Sequence, residues 1–163
     1  MDVIVKLVIF RFTVPQSDPP LVESWPSARQ FDVAPASDID LHYKLFLVHV
    51  ELIVSGVAFM TPEGSATFVN MALGAAGTAR RLESGLPGGL GFTENPEVIE
   101  FRPAGDQVSV SSSVLPLSAT ADKDEVIAAL RLFATEAYRV LVSHSPALRD
   151  NETLAPLRFP EDL

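Results

Sequence analysis

The chain has 163 residues, with 21 acidic and 12 basic side chains, no cysteine and a formal net charge of −9 at neutral pH. A single domain over 1–163 is the expectation at this length, with a core large enough to fold without disulfides or a structural metal. Lack of cysteine excludes a disulfide scaffold, a cysteine zinc site and a thiol nucleophile, and the acidic balance works against nucleic-acid binding, which needs clustered Lys and Arg.

Val3 to Phe12 is apolar, but Lys6 and Arg11 interrupt it and no small-residue cleavage site follows, so it reads as a strand rather than a signal peptide. Both of its faces are mostly apolar, which predicts a central place in a sheet. Pro15 and Pro19-Pro20 end it, and residues 14–38 form a long loop rich in Pro, Ser and Asp. Asp18, Glu23, Asp32 and Asp38, with Asp40 just beyond, stand there against Arg29 alone. Trp25 and Phe31 are either anchors onto the core or exposed contacts; anchoring offsets the entropy of ordering such a loop.

Leu45 to Met60 is the most hydrophobic stretch, yet it holds His49, Glu51 and Gly56 and falls short of the ~20 uncharged residues of a membrane helix. No membrane association is expected, and the cytoplasm is the expected location. Between Ile39 and Val54 the apolar parity switches. Odd positions Ile39, Leu41, Tyr43, Leu45 and Leu47 give way to even positions Phe46, Val48, Val50, Leu52 and Val54. A one-residue slip turns every side chain to the other face, so a bulge near Leu45 to Leu47, or a strand that passes between packing layers, is predicted.

Thr61-Pro62-Glu63 reads as a helix start, with the helix running from Pro62 or Ser65 to Glu83 and Gly85 as its C-cap. Its inner stripe of Phe68, Ala72, Ala75, Ala76, Ala79 and Leu82 is built largely from small residues, and Gly74 and Gly77 imply a close backbone contact. Leu86 to Phe92 reads as a glycine-rich connector. Glu97–Arg102 and Gln107–Leu115, joined by Pro103-Ala104-Gly105-Asp106, form a hairpin whose second arm alternates Val with Ser. In the last helix Asp122 with Glu125 resembles a capping box, and Val126, Leu130, Phe133, Ala137, Val140, Leu141 and His144 share one face. Ser145-Pro146 ends it, and the tail offers Leu154, Leu157 and Phe159 as contacts.

Several constellations invite chemistry. Asp38, Asp40 and His42 share a strand face and could face a divalent metal, but a solvated strand end explains them better. His49 and Glu51 have the spacing of a base and its orienting carboxylate, without an identifiable nucleophile; a cross-strand polar pair is the plainer reading. Gly85, Gly88, Gly89 and Gly91 follow a helix instead of opening one, so they do not form a phosphate cradle. His144-Ser145 and Ser111 to Ser113 lack a nucleophile elbow, and Arg80-Arg81 is too small for a nucleic-acid patch. No catalytic residue, metal site or cofactor is assigned. The remaining candidate is diffuse. Asp18, Glu23, Trp25, Asp32, Asp38, Asp40, Glu94, Glu97 and Glu100 would offer a negative field and an aromatic contact to a basic protein partner. Segments 18–40 and 94–100 carry eight of the 21 acids and one of the 12 basic residues.

The order of elements resembles small uncharacterised actinobacterial proteins. The resemblance rests on Phe92-Thr93-Glu94-Asn95-Pro96-Glu97-Val98-Ile99-Glu100-Phe101, Gly105-Asp106-Gln107-Val108-Ser109-Val110 and Pro146-Ala147-Leu148-Arg149-Asp150-Asn151. It covers residues 40–155 and implies a sheet flanked by helices, with no catalytic residue to carry over. Some similar proteins are thought to be immunity-type or accessory partners in polymorphic toxin loci. The predicted fold is α+β, an antiparallel sheet of four to six strands with two helices packed on one face. The predicted function is a protein-binding module of immunity type. A small-ligand binder or enzyme with a pocket between the sheet and the Ala-rich helix is the alternative, and a homodimer through the exposed sheet or an edge strand is a further expectation.

Overall fold

The even-numbered apolar run from Phe46 to Val54 becomes the spine of the first sheet in the computed structural model, which describes residues 7–25, 45–93 and 95–159. Strand β2 (Leu47–Val54) buries every second side chain, with Val48, Val50, Leu52 and Val54 at most 4% exposed. On one side it pairs antiparallel with β1 (Val8–Thr13). On the other, β3 (Val57–Met60) pairs with its end and β4 (Ser65–Thr67) with its start. Among the described residues strand β1 is thus an edge strand, not the central one its apolar faces suggested. Its apolar content is spent on packing below the sheet, where Phe10 stacks on Phe133 with ring centroids 3.9 Å apart.

The parity switch falls at a backbone irregularity. Phe46 is fully buried with φ +59°, a left-handed conformation that a bulky side chain rarely adopts. It is held by its N–H donating to the Ser24 carbonyl and its own carbonyl accepting from Phe68 N–H. The ladder starts at the next residue; Ile39 to Lys44, the other half of the switch, lie outside the described residues. Ser55 (φ +48°) and Gly56 (φ +84°) turn the chain from β2 into β3. Positive φ at both central residues is the mark of a type I′ hairpin, whose twist suits antiparallel strands. A bulge occurs one strand later: Leu52 pairs with Met60 and Ile53 with Ala58, leaving Phe59 as the extra residue, so that Phe59 and Met60 are both buried.

Ser65 to Thr67 extends as β4 instead of beginning a helix, and α2 spans Phe68–Glu83 after a short helix α1 (Pro19–Glu23). Thr61-Pro62-Glu63 is a turn, with Gly64 N–H bonded to the Thr61 carbonyl; pairing with β2 wins over the local capping signal. The predicted stripe from Phe68 to Leu82 is fully buried. The helix ends as predicted: Gly85 (φ +75°) donates to the Leu82 carbonyl and Leu86 N–H to the Arg81 carbonyl, the paired bonds of a Schellman cap.

The second sheet is a meander of β5 (Gly88–Gly91), β6 (Val98–Ala104), β7 (Gln107–Ser112) and β8 (Ser118–Asp122). The glycine-rich segment expected as a connector is therefore a strand. Gly88 is there because α2 lies against it, and Gly89 because Val98 and Ile99 of β6 do. A Cβ at Gly88 would come within 3.0 Å of Thr78, and one at Gly74 within 3.3 Å of Leu90. Thr78 Oγ1 donates to the Gly89 carbonyl. The contact that Gly74 implied is real, whereas Gly77 faces open space and nothing in the structure explains it. The β6–β7 hairpin forms where predicted, but Pro103 and Ala104 extend β6 and pair with Val108 and Gln107, so its turn is Gly105 (φ +64°) and Asp106 alone, and β7 ends at Ser112.

Helix α3 (Lys123–His144) is capped by the Asp122 carboxylate, which accepts from Glu125 N–H at 3.1 Å. Two 3-10 turns, Pro146–Asp150 and Glu152–Leu157, order the tail. The α+β class, the antiparallel sheet of four to six strands and the two main helices agree with the sequence; among the described residues there are two such sheets, each of four strands. The sheets adjoin where Ser55 Oγ donates to the Thr120 carbonyl, and one buried cluster joins both to α2 and α3. Among the described residues no helix is long and apolar enough to cross a membrane.

Candidate functional site

The start of β2 gathers the described part of the acidic segment. Asp18 opens α1 with its carbonyl accepting from Leu21 and Val22 N–H, and Leu21 is buried. Ser24 Oγ donates to the Leu21 carbonyl and accepts from Leu47 N–H at 2.9 Å. The Trp25 indole donates to the Leu47 carbonyl at 2.8 Å, and its ring packs edge-on to Phe46 and His144 and tilted to Phe68. Trp25 is therefore an anchor, its one donor used internally, and not the outward contact of the predicted site. Its neighbours Asp18 and Glu23 stay exposed.

On the other side of the α2 N-terminus lies the segment after β5. Thr67 and Thr93 hydroxyls are 3.0 Å apart, which places Phe92 and Thr93 beside β4. Glu97 accepts from Ser112 Oγ at 2.5 Å, so its half-buried carboxylate helps lock β6 to β7. Glu100 stands on the outer face of β6, 3.7 Å from Arg102. Through Trp25, Leu47, Thr67 and Thr93, α1 and the chain leading to Glu97 flank one end of α2, whereas Glu100, opposite Gly89 in the ladder, lies level with Thr78 farther along the helix. Asp32, Asp38, Asp40 and Glu94 of the predicted set, with Phe31, lie outside the described residues.

Between the two segments is a small cleft lined by Leu47, Thr67, Asn70, Met71, Phe92 and Thr93, with only about 30 Å³ of enclosed space, room for one or two waters. It opens into a shallow groove of about 500 Å³ beside Asn70, Leu73, Gly74 and Phe92. The alanines of α2 lie fully buried, so the interface beneath the helix is filled.

The opposite end of α2 is rich in arginine, which the sequence hinted at only through Arg80-Arg81. The Phe159 ring, 4% exposed, carries the Arg80 and Arg131 guanidiniums 4.2 and 4.6 Å from its centroid. Arg131 also meets Glu83 at 3.2 Å. Arg80 donates to the Arg158 carbonyl, and Arg158 lies over Tyr138. Four arginines thus sit ~20 Å along α2 from its acid-flanked start, at 1.5 Å per residue.

His49 and Glu51, the candidate dyad, take separate partners. His49 Nδ1 donates to the Gly64 carbonyl at 3.1 Å. Glu51 faces Arg11 in the ladder and pairs with it at 2.5 Å, a cross-strand charge pair, although Oε1 makes no well-aligned hydrogen bond. Among the described residues no three side chains of metal-binding type converge; Asp38, Asp40 and His42 are not among them. No protein-family model, curated protein or solved structure matches the chain.

Proposed function

We propose that this chain is a protein-binding module that presents the acid-flanked end of α2 to a basic partner. The observation that carries the reading is charge placement: exposed Asp18 and Glu23, with Glu97 across the cleft, border one end of the helix, while Arg80, Arg81, Arg131 and Arg158 gather at the other. Such separation gives the molecule an electrostatic direction, which orients an approaching cation and raises the rate of productive encounter. The anchoring of Trp25 supports it, because it fixes the α1 acids to the rigid start of β2. An immunity-type inhibitor is the specific form suggested by the resemblance to small actinobacterial proteins.

Affinity capture on the native chain and on a variant with Asp18→Lys and Glu23→Lys tests the reading. A basic protein should be held by the native chain, released as salt rises, and lost from the variant. Equal capture by both chains would overturn it. A small-ligand role is the second reading, favoured by the open groove between α2 and β5; amide shift changes at Asn70, Leu73 and Phe92 on adding a ligand library would support it.

A further inference from the structure

The solvent face of α3 is not ordinary for an exposed helix. Asp124, Ala128, Leu132, Thr135 and Arg139 follow at intervals of four, four, three and four, which places them on one stripe. That stripe lies opposite Val126, Leu130, Phe133, Ala137 and Leu141, which α3 buries; Thr135 on it is half-buried, and Val142, one turn beyond Arg139, is buried. Leu132 is 57% exposed at its centre, and an open groove of about 440 Å³ runs past Asp124, Ala128, Leu132 and Thr135.

The stripe is complementary to itself. Laid antiparallel on a second copy about a two-fold axis beside Leu132, position 124 meets 139, 128 meets 135, and Leu132 meets its own counterpart. The two pairs each sum to 263, which puts the axis between positions 131 and 132 with Leu132 and its counterpart on either side of it, as an isologous contact requires. Asp124 therefore faces Arg139 of the other copy twice. Asp124 has no ion pair among the described residues, and Arg139 is 69% exposed although it touches Glu136. Ala128 opposite Thr135 lets the helices approach closely, and the exposed leucine fills the middle. We infer that α3 is a self-association surface, on which two copies pair antiparallel through Leu132 with Asp124–Arg139 contacts at both ends. The occupant is a second copy because the opposite charges stand at positions exchanged by the two-fold axis. The inference is independent of the acidic end, which such a dimer would display twice.

Sedimentation velocity on the full chain tests it. The native protein should pass from monomer to dimer as concentration rises, with the micromolar affinity of an interface at the small end of the specific range. Asp124→Arg alone and Arg139→Asp alone each create two like-charge contacts and should weaken association ~10-fold or more. Mixed one to one, the two variants place opposite charges at both ends again and should form a heterodimer about as tight as the native pair. Leu132→Glu should leave a monomer with an unchanged circular dichroism spectrum, since the position is exposed. A native chain that stays monomeric at every concentration, single charge variants that dimerise as the native chain does, or a mixture that fails to recover would each overturn the inference.

Discussion

The C-terminal aromatic clamp gives the most quantitative test of how this fold is closed. Phe159 is the last described residue and is 4% exposed, with the Arg80 and Arg131 guanidiniums 4.2 and 4.6 Å from its ring centroid. Two contributions separate by substitution. Truncation to alanine removes ring burial, ~3–5 kcal/mol for a buried Phe, with the upper end excluded here because a tail can relax into the space it leaves. Cation–π attraction adds ~0.5–1 kcal/mol per guanidinium at a partly solvated site, so two of them contribute ~1–2 kcal/mol. Phe159→Leu keeps most of the apolar area and loses the quadrupole. It should therefore cost ~1–2 kcal/mol, and Phe159→Ala ~3–4 kcal/mol. For a chain of this size each kcal/mol lowers Tm by ~2–4 °C. Urea denaturation of both variants gives the free energies, and a cycle combining Phe159→Leu with Arg131→Gln isolates one pair from the Glu83 bridge that Arg131 also makes. A leucine variant as stable as the native chain would show that the guanidiniums only cover the ring. An alanine variant losing less than ~1 kcal/mol would show that the buried ring contributes little to stability.

Three further outcomes follow from local geometry. A Cβ at Gly89 would meet Val98 Cγ1 at 2.9 Å and the Ile99 carbonyl at 3.2 Å, so Gly89→Ala should destabilise by ~1–3 kcal/mol in urea melts. Gly91 has nothing within 4 Å, and Gly91→Ala should be neutral or gain ~0.4–1 kcal/mol by restricting the unfolded chain; equal losses at both positions would show that β5 tolerates no side chain for some reason other than contact. Asp122→Ala removes the carboxylate that accepts from Glu125 N–H and should cost ~0.5–2 kcal/mol, with Asp122→Asn close to native, as read from thermal melts by circular dichroism.

The elements that were legible in the sequence are those whose signal is local. Helix α3 had a cap, a stripe and a terminating proline within one segment, and the β6–β7 hairpin had its glycine turn between two alternating arms. The misread elements needed information from elsewhere in the chain. Gly88 to Gly91 has the composition of a connector, and only Thr78 of α2 against Gly88 and the Val98 side chain and Ile99 carbonyl against Gly89 explain why this strand has glycine there. Ser65 to Thr67 extends because Leu47 to His49 offers it a ladder, which outweighs the capping pattern four residues earlier. Strand β8 is five small and polar residues, too weak a pattern to stand apart from the loop before it. Ser55-Gly56 was a turn dipeptide in plain view, hidden by the continuous apolar run around it.

Charge was legible in the same partial way. Counting located the excess of acids in two segments but could not bring those segments together, because their meeting depends on a Trp25 hydrogen bond to Leu47 and a hydroxyl contact between Thr67 and Thr93. Nor could it reveal the arginines at the far end, which are separated by up to 78 positions, as Arg80 and Arg158 show. The parity switch joins the two levels. A change of apolar register near Leu45 required that the backbone break there, and the break is Phe46 in a left-handed conformation, pinned between Ser24 and Phe68. That one strained residue is where the α1 acids are tied, through Ser24, to the start of α2. The local rule violated at Phe46 is thus the joint on which the acidic end is built.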